Sequence, residues 1–116
     1  MNDEMKNDGV SLIAAERQRQ IEVEGWTPEH DDEHTASELS RAASSYTRVA
    51  AAQANLGLHC APRSGSEKDW DFPSEWDAEW WKPSPDPIRN LVKAGALIAA
   101  EIDRLQREAN REGASK

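Results

Sequence analysis

Between residues 36 and 55 the chain carries Leu39, Ala42, Ala43, Tyr46, Val49, Ala50 and Gln53, spaced i, i+3, i+4, i+7. That period follows from 3.6 residues per turn and fits a helix with one buried face. No stretch of the chain shows the strict alternation of a half-buried strand. The constraint is therefore on fold class: apolar surface must be buried by packing helix on helix. Thr35 and Glu38 have capping-box spacing and set the start of this helix at 36, and Gly57 is its stop.

Two further helices frame it. The first is predicted over residues 10–24, with Val10, Ile13, Ala14, Arg17 and Ile21 on one stripe. An arginine on such a stripe either snorkels to water or pairs with a buried acid. Gly25 supplies the C′ position. The third starts cleanly, with Asp86 as N-cap and Pro87 as first helical residue. Its apolar stripe is Ile88, Leu91, Val92, Gly95, Ile98 (or Ala99), Ile102 and Leu105. Ala94, Gly95, Ala96, Ala99 and Ala100 make its middle narrow, which suits either an intrachain crossing or a self-association seam.

The expected architecture is all-α: three main helices with a long Trp-rich loop between the second and third. That loop, residues 58–85, holds four of the six prolines and four of the five tryptophans. Residues 60–68 read as flexible. Residues 70–82 read as docked, because exposed tryptophans are costly, with a short helical turn at 75–81. The predicted domain plan is a disordered N-terminus at 1–9, a single helical domain at 10–108 and a frayed tail at 109–116.

Composition narrows the function classes. At 116 residues, 37% hydrophobic and rich in alanine, the chain buries a modest core. Partner subunits, in a homo-oligomer, are therefore expected to bury more. No apolar run is long enough to span a membrane, and residues 1–9 lack the basic and apolar regions of a signal peptide. Cys60 is the one cysteine, so an intrachain disulfide and a thiolate zinc cluster are excluded and a reducing cytoplasm fits. The net charge of −8 argues against duplex nucleic acid or an anionic membrane as direct partners. Seven carboxylates and no Lys or Arg lie between residues 20 and 40, and seven more acids lie between 67 and 86. Such patches mostly confer solubility; some attract a metal or a basic partner.

Three groups of residues could carry chemistry. His30, Asp31, Asp32 and His34 are ligand types that suit a divalent ion such as Mg, Mn or Zn, the one cofactor the sequence suggests. Asp31, Asp32 and Glu33 also precede a helix N-terminus, where negative charge is favourable in its own right. Arg17, Arg89 and Lys93 could hold a phosphate beside a helix start. Trp26, Trp80 and Trp81 could stack on a base, or could simply pin the loop to a thin core. A magnesium site of the all-helical pyrophosphohydrolase kind needs acids three apart on two helices. Here Glu38 is followed by Arg41 and Ala42, and Glu101 and Asp103 are two apart and do not share a face. The incomplete pattern counts against independent catalysis of that kind. Cys60 has no basic partner within sequence reach.

The segments Glu16-Arg17-Gln18-Arg19-Gln20, Glu24-Gly25-Trp26-Thr27-Pro28-Glu29-His30-Asp31-Asp32-Glu33-His34, Trp76-Asp77-Ala78-Glu79-Trp80-Trp81-Lys82-Pro83 and Arg89-Asn90-Leu91-Val92-Lys93-Ala94-Gly95-Ala96-Leu97-Ile98 resemble a widespread family of small phage and prophage proteins. The resemblance spans about residues 12–107. It extends to a domain at the N-terminus of phage dATP/dGTP diphosphohydrolases. Gly25-Trp26, Asp31-Asp32 and His34 are more weakly similar to the ryanodine-receptor repeat domain, whose Tyr-Gly and Pro are replaced here by Thr27-Pro28 and Thr35. Both resemblances imply a nucleotide-related role. The expected function is a small binding protein that sequesters a nucleotide or nucleotide-derived defence signal in a pocket of Arg17, Trp26, His30, Asp31, Trp80, Trp81, Arg89 and Lys93. The alternatives are a metal-dependent nucleotide phosphohydrolase using His30, Asp31, Asp32 and Glu38, or an accessory domain of one, and an acidic inhibitor of a nucleic-acid-binding host enzyme.

Overall fold

A computed structural model describes residues 8–34, 37–56, 72–73, 76 and 80–115. Every regular element among them is a helix: α1 (Gly9–Glu22), α2 (Pro28–Asp31), α3 (Glu38–Leu56) and α4 (Pro87–Ser115). None is long and apolar enough to cross a membrane.

Local chemistry explains the boundaries. The Asp8 carboxylate accepts the Ser11 N–H at 2.8 Å, capping α1 two residues inside the segment expected to be disordered. Residues 1–7 and most of 57–79 lie outside the described residues, as do the expected flexible segment and most of the expected turn at 75–81. α1 ends at Glu22 with Val23 as its C-cap, so Gly25 lies one residue past the C′ position expected for it; it takes φ +76°, and the Trp26 N–H turns back onto the Gln20 carbonyl at 3.0 Å. Between the first two predicted helices the chain holds a one-turn helix, α2. Its cause is legible in hindsight: Thr27 Oγ1 accepts the His30 N–H at 3.2 Å, and Pro28 occupies the first helical position. α3 begins at Glu38, with the Ser37 carbonyl accepting the first helical N–H from Arg41. The expected cap, Thr35, lies outside the described residues.

α3 and α4 form the central pair, with α1 and α2 laid against α4. All seven residues of the predicted α3 stripe are buried. They meet Ala94, Leu97 and Ala100 of α4, with Phe72 and Trp81 closing the core. The few large side chains here, Leu39, Tyr46, Val49, Leu97, Phe72 and Trp81, do most of the stabilising, at about 1.5–3 kcal/mol for each fully buried aliphatic. The narrow middle of α4 is used inside the chain. Its alanines admit α3 on one side, and on the other Gly95 receives Ile13 of α1, whose Cδ1 stands 2.5 Å from where a Cβ would be.

The apolar stripe of α4 does not behave as one surface. Val92 is buried, whereas Ile88, Leu91, Ile98, Ile102 and Leu105 are 48–62% exposed. The alanine-rich face won the core because it lets the α3 backbone approach. α4 also runs through residues 109–115, where fraying was expected. Arg104 bonds Glu101 and Glu108 along the helix, and Arg107 and Arg111 reach Asp32 at the end of α2.

Candidate functional site

A short strap, residues 80–84, is held against α3 and α4 by polar bonds. Tyr46 of α3 donates its hydroxyl hydrogen to the Trp80 carbonyl at 3.3 Å, and the same oxygen accepts the Lys82 N–H at 3.1 Å. Asn90, fully buried, bonds both backbone groups of Ser84 at 2.8 Å. Gln53 donates to the same Ser84 carbonyl and accepts from Asn90. Lys93 donates to the Lys82 carbonyl and sits 5.5 Å above the Tyr46 ring.

The fixed strap sends its two adjacent tryptophans to different places. Trp81 enters the core, 4.9 Å from Tyr46 and 5.1 Å from Phe72. Trp80 joins Trp26 and Trp76 in a triangle of indoles with centroids 5.3–6.0 Å apart. His34 packs at 5.0 Å from Trp76, and His30 at 6.1 Å from Trp80. Trp26 and Trp80 meet at 49°, a wedge rather than a stack.

Beside the wedge lies a run of adjoining depressions. A cleft of about 200 Å³ is lined by Glu24, Trp26, Trp80 and Lys82. A narrow neck reaching Gln20, Tyr46 and Lys93 connects it to Glu16 and Arg19. Glu16 and Arg19 also line a hollow of about 350 Å³ that ends at Arg89 and the start of α4. Together these walls carry four cations, Arg19, Lys82, Arg89 and Lys93, against three carboxylates, Glu16, Glu24 and Asp86. In a chain of net charge −8 this is a local excess of one positive charge.

Glu16 is the electrostatic centre. It is buried in α1, receives Arg19 at 2.8 Å and Arg89 at 2.6 Å, and accepts from Gln20 at 3.1 Å. Burial alone would raise its pKa, but the two guanidiniums win and hold it below the ordinary carboxylate range. Gln20 is buried with its Nε2 spent on Glu16, and its Oε1 has no hydrogen-bond partner among the described residues. Burial, then the nearby Arg89 charge, pushes Lys93 down to about 8.

The predicted site residues divide between this cleft and other work. Trp26, Trp80, Arg89 and Lys93 come together at it. Arg17 does not: it pairs with buried Asp31 at 2.8 Å and donates to the Trp26 carbonyl at 3.2 Å, fixing the α1–α2 corner beneath the wedge. Burial pushes the Asp31 carboxyl above its usual range, with Arg17 pulling the other way. Trp81 stands in the core and His30 in the aromatic cluster, its Nδ1 buried without a partner among the described residues.

Of the predicted metal ligands, Asp31 is engaged by Arg17 and Asp32 by Arg107, which holds the Asp32 pKa down. The His30 and His34 rings meet edge to face at 4.9 Å, and His34 Nδ1 lies 3.6 Å from Glu38. Among the described residues no three His, Cys, Asp or Glu side chains gather as a metal shell requires. Glu101, on the helix where a magnesium motif was sought, is held by Arg104 at 2.6 Å.

Sequence reasoning missed Glu16, Arg19, Gln20, Glu24 and Lys82. One signal was present: Glu16 and Gln20 lie four apart on one face of a helix whose apolar stripe is thin. Searches of family models, curated proteins and solved structures returned no match to this chain.

Proposed function

We propose that the protein is a binding module for a planar anion of the nucleotide class, with the Trp26–Trp80 wedge taking the base and the Arg19, Lys82, Arg89 and Lys93 cations facing the phosphate. The observation that carries this reading is the local excess of positive charge beside partly buried indoles that line the cleft of a strongly acidic chain. Acidic proteins gain nothing for solubility by concentrating cations in a depression; an anionic ligand gives that arrangement a use. Gln20 Oε1 supports the same reading, since a buried acceptor without a partner suits an exocyclic amine or ribose hydroxyl. Base–indole stacking contributes on the order of 1–3 kcal/mol and tolerates many bases, so the class of ligand is better supported than any one member.

The resemblance to phage proteins and nucleotide-linked domains gives the proposal a biological form, sequestration of a nucleotide-derived defence signal. Binding rather than turnover is favoured because Asp31, Asp32 and Glu101 are each engaged by an arginine. The test is equilibrium titration with linear and cyclic nucleotides, read by tryptophan fluorescence and calorimetry. Binding in the micromolar range is expected, weakened at least tenfold by Trp80→Ala and by Lys82→Ala. Absence of binding at high micromolar nucleotide, or binding indifferent to both substitutions, sinks the reading.

A further inference from the structure

From the rim of the hollow at Ile88, α4 carries an aliphatic ridge that stays about half exposed. Ile88, Leu91, Ile98, Ile102 and Leu105 are each about half exposed or more. With Gly95, which Ile13 of α1 covers within the chain, they are spaced 3-4-3-4-3, the a/d rhythm of a helix seam. Ile98, Ile102 and Leu105 line a groove of about 490 Å³ whose opposite bank is Ser40, Ala43, Ser44 and Thr47 of α3. Large side chains thus line one bank and small ones the other, on a single surface.

Such a surface is complementary to itself. A two-fold axis lays the ridge of one copy over the furrow of another, and the reverse contact forms by symmetry. The charge fits too. The groove is lined by one cation, Arg48, and one carboxylate, Glu101, so it is neutral although the chain carries −8. Two like-charged copies can meet there without like charges being forced together, and nothing on it selects a basic partner. The area is also right. Leu91, Ile98, Ile102 and Leu105, each about half exposed, present roughly 350–400 Å² per copy, most of the apolar share of a standard interface of about 800 Å² per partner.

We propose that this α3–α4 face is a homodimer interface, with the Leu91–Ile98–Ile102–Leu105 ridge of each copy seated on the Ser40–Ala43–Ser44–Thr47 furrow of the other. The small-residue face of α4, which the sequence alone offered as a seam, is occupied within the chain. The ridge beside it takes that role. The proposal is independent of the ligand reading.

Sedimentation equilibrium of the full chain tests it. The expected result is a dimer at micromolar concentration. Ile98→Asp on the ridge and Ser44→Arg on the furrow should each move the dimer–monomer midpoint at least a hundredfold higher in concentration, with helical circular dichroism retained. Val23→Asp, an exposed apolar site elsewhere, should leave the midpoint in place. A wild-type monomer at all concentrations overturns the proposal, and so does a dimer that survives both face substitutions. Should either variant lose helix, amide exchange of residues 98–105 in the wild-type chain decides. It must slow as concentration rises, and exchange independent of concentration overturns the interface.

Discussion

The two sides of α4 solve the same packing problem with opposite chemistry. Against α3, α4 buries Ala94, Leu97 and Ala100 on Leu39, Ala42, Tyr46 and Val49. Against α1 and the strap, it sets its own half-buried Arg89 and Lys93 beside buried Glu16 and Gln20. The first side gains from removing apolar surface from water. The second removes charges from water and recovers that cost only through geometry. A chain this thin in large aliphatics has little reason to spend an interface on carboxylates and guanidiniums for stability. The contrast assigns stability to the α3 side and recognition to the α1 side.

The largest effect that could break this contrast is on the apolar side. Leu97 is almost fully buried at the centre of the helix pair. Leu97→Ala should cost about 3–4 kcal/mol in chemical denaturation, a large part of the total for a small domain. Anion affinity measured below the new transition should fall less than it does in Lys82→Ala, because Leu97 touches only the narrow neck of the cleft. If the loss of stability is under about 1 kcal/mol, the α3–α4 seam is not what holds the fold together.

The second effect sharpens the contrast by separating two quantities. Glu16→Gln keeps the shape but removes the charge that Arg19 and Arg89 face. Both guanidiniums are more than a third exposed and can turn to water, so the stability cost is about 1–2 kcal/mol rather than that of a sealed pair. The cleft meanwhile gains a net positive charge, and an anion should bind several-fold more tightly. The acid side also has a definite sign. The folded Glu16 carboxyl lies below its ordinary value. Its stabilisation is therefore present above the unfolded pKa and lost as pH falls through the folded one. Glu16→Gln should flatten that limb of the stability–pH curve. Stability and anion affinity falling together would show that Glu16 organises the site rather than neutralising it.

The same division decides what could be read from the sequence. The all-α class, Asp86–Pro87 as a helix start, Gly25 at positive φ and all seven α3 positions follow from period and capping chemistry, which are local. Arg17 was narrowed to two fates, and the structure chose the buried acid, Asp31. The α4 stripe misled because hydrophobicity marks what must leave water, not which partner covers it; the narrow alanine face packed better inside the chain. The cleft was half legible. Trp26, Trp80, Arg89 and Lys93 stood out by type. Glu16, Gln20 and Lys82 matter only because α1 crosses α4 and the strap passes Tyr46, and that geometry is long-range.

The smallest effect is the most specific to the cleft. Lys93 titrates at about 8 in the fold, well below the ordinary 10.5, because burial and then the Arg89 charge disfavour its protonated form. Between about 8 and 10.5 the unfolded chain holds a proton that the fold does not, so this residue's contribution makes stability rise with pH across that window. Anion binding runs the other way. A ligand phosphate meets a protonated Lys93 below about 8 and a neutral amine above it, so affinity falls as pH rises. The bound anion stabilises the ammonium, which places the midpoint of the loss somewhat above the value for the free protein. One exposed edge of the cleft is open to solvent and three other cations remain, so the loss should be under about tenfold. Lys93→Gln should lower affinity at neutral pH and remove both slopes, whereas Arg89→Gln should lower affinity and leave the slope in place with its midpoint shifted upward. Titrations between about pH 7 and pH 9.5 that show equal affinity throughout would mean that Lys93 serves the Lys82 carbonyl and the Tyr46 ring alone, and would return it from the recognition side of α4 to the structural one.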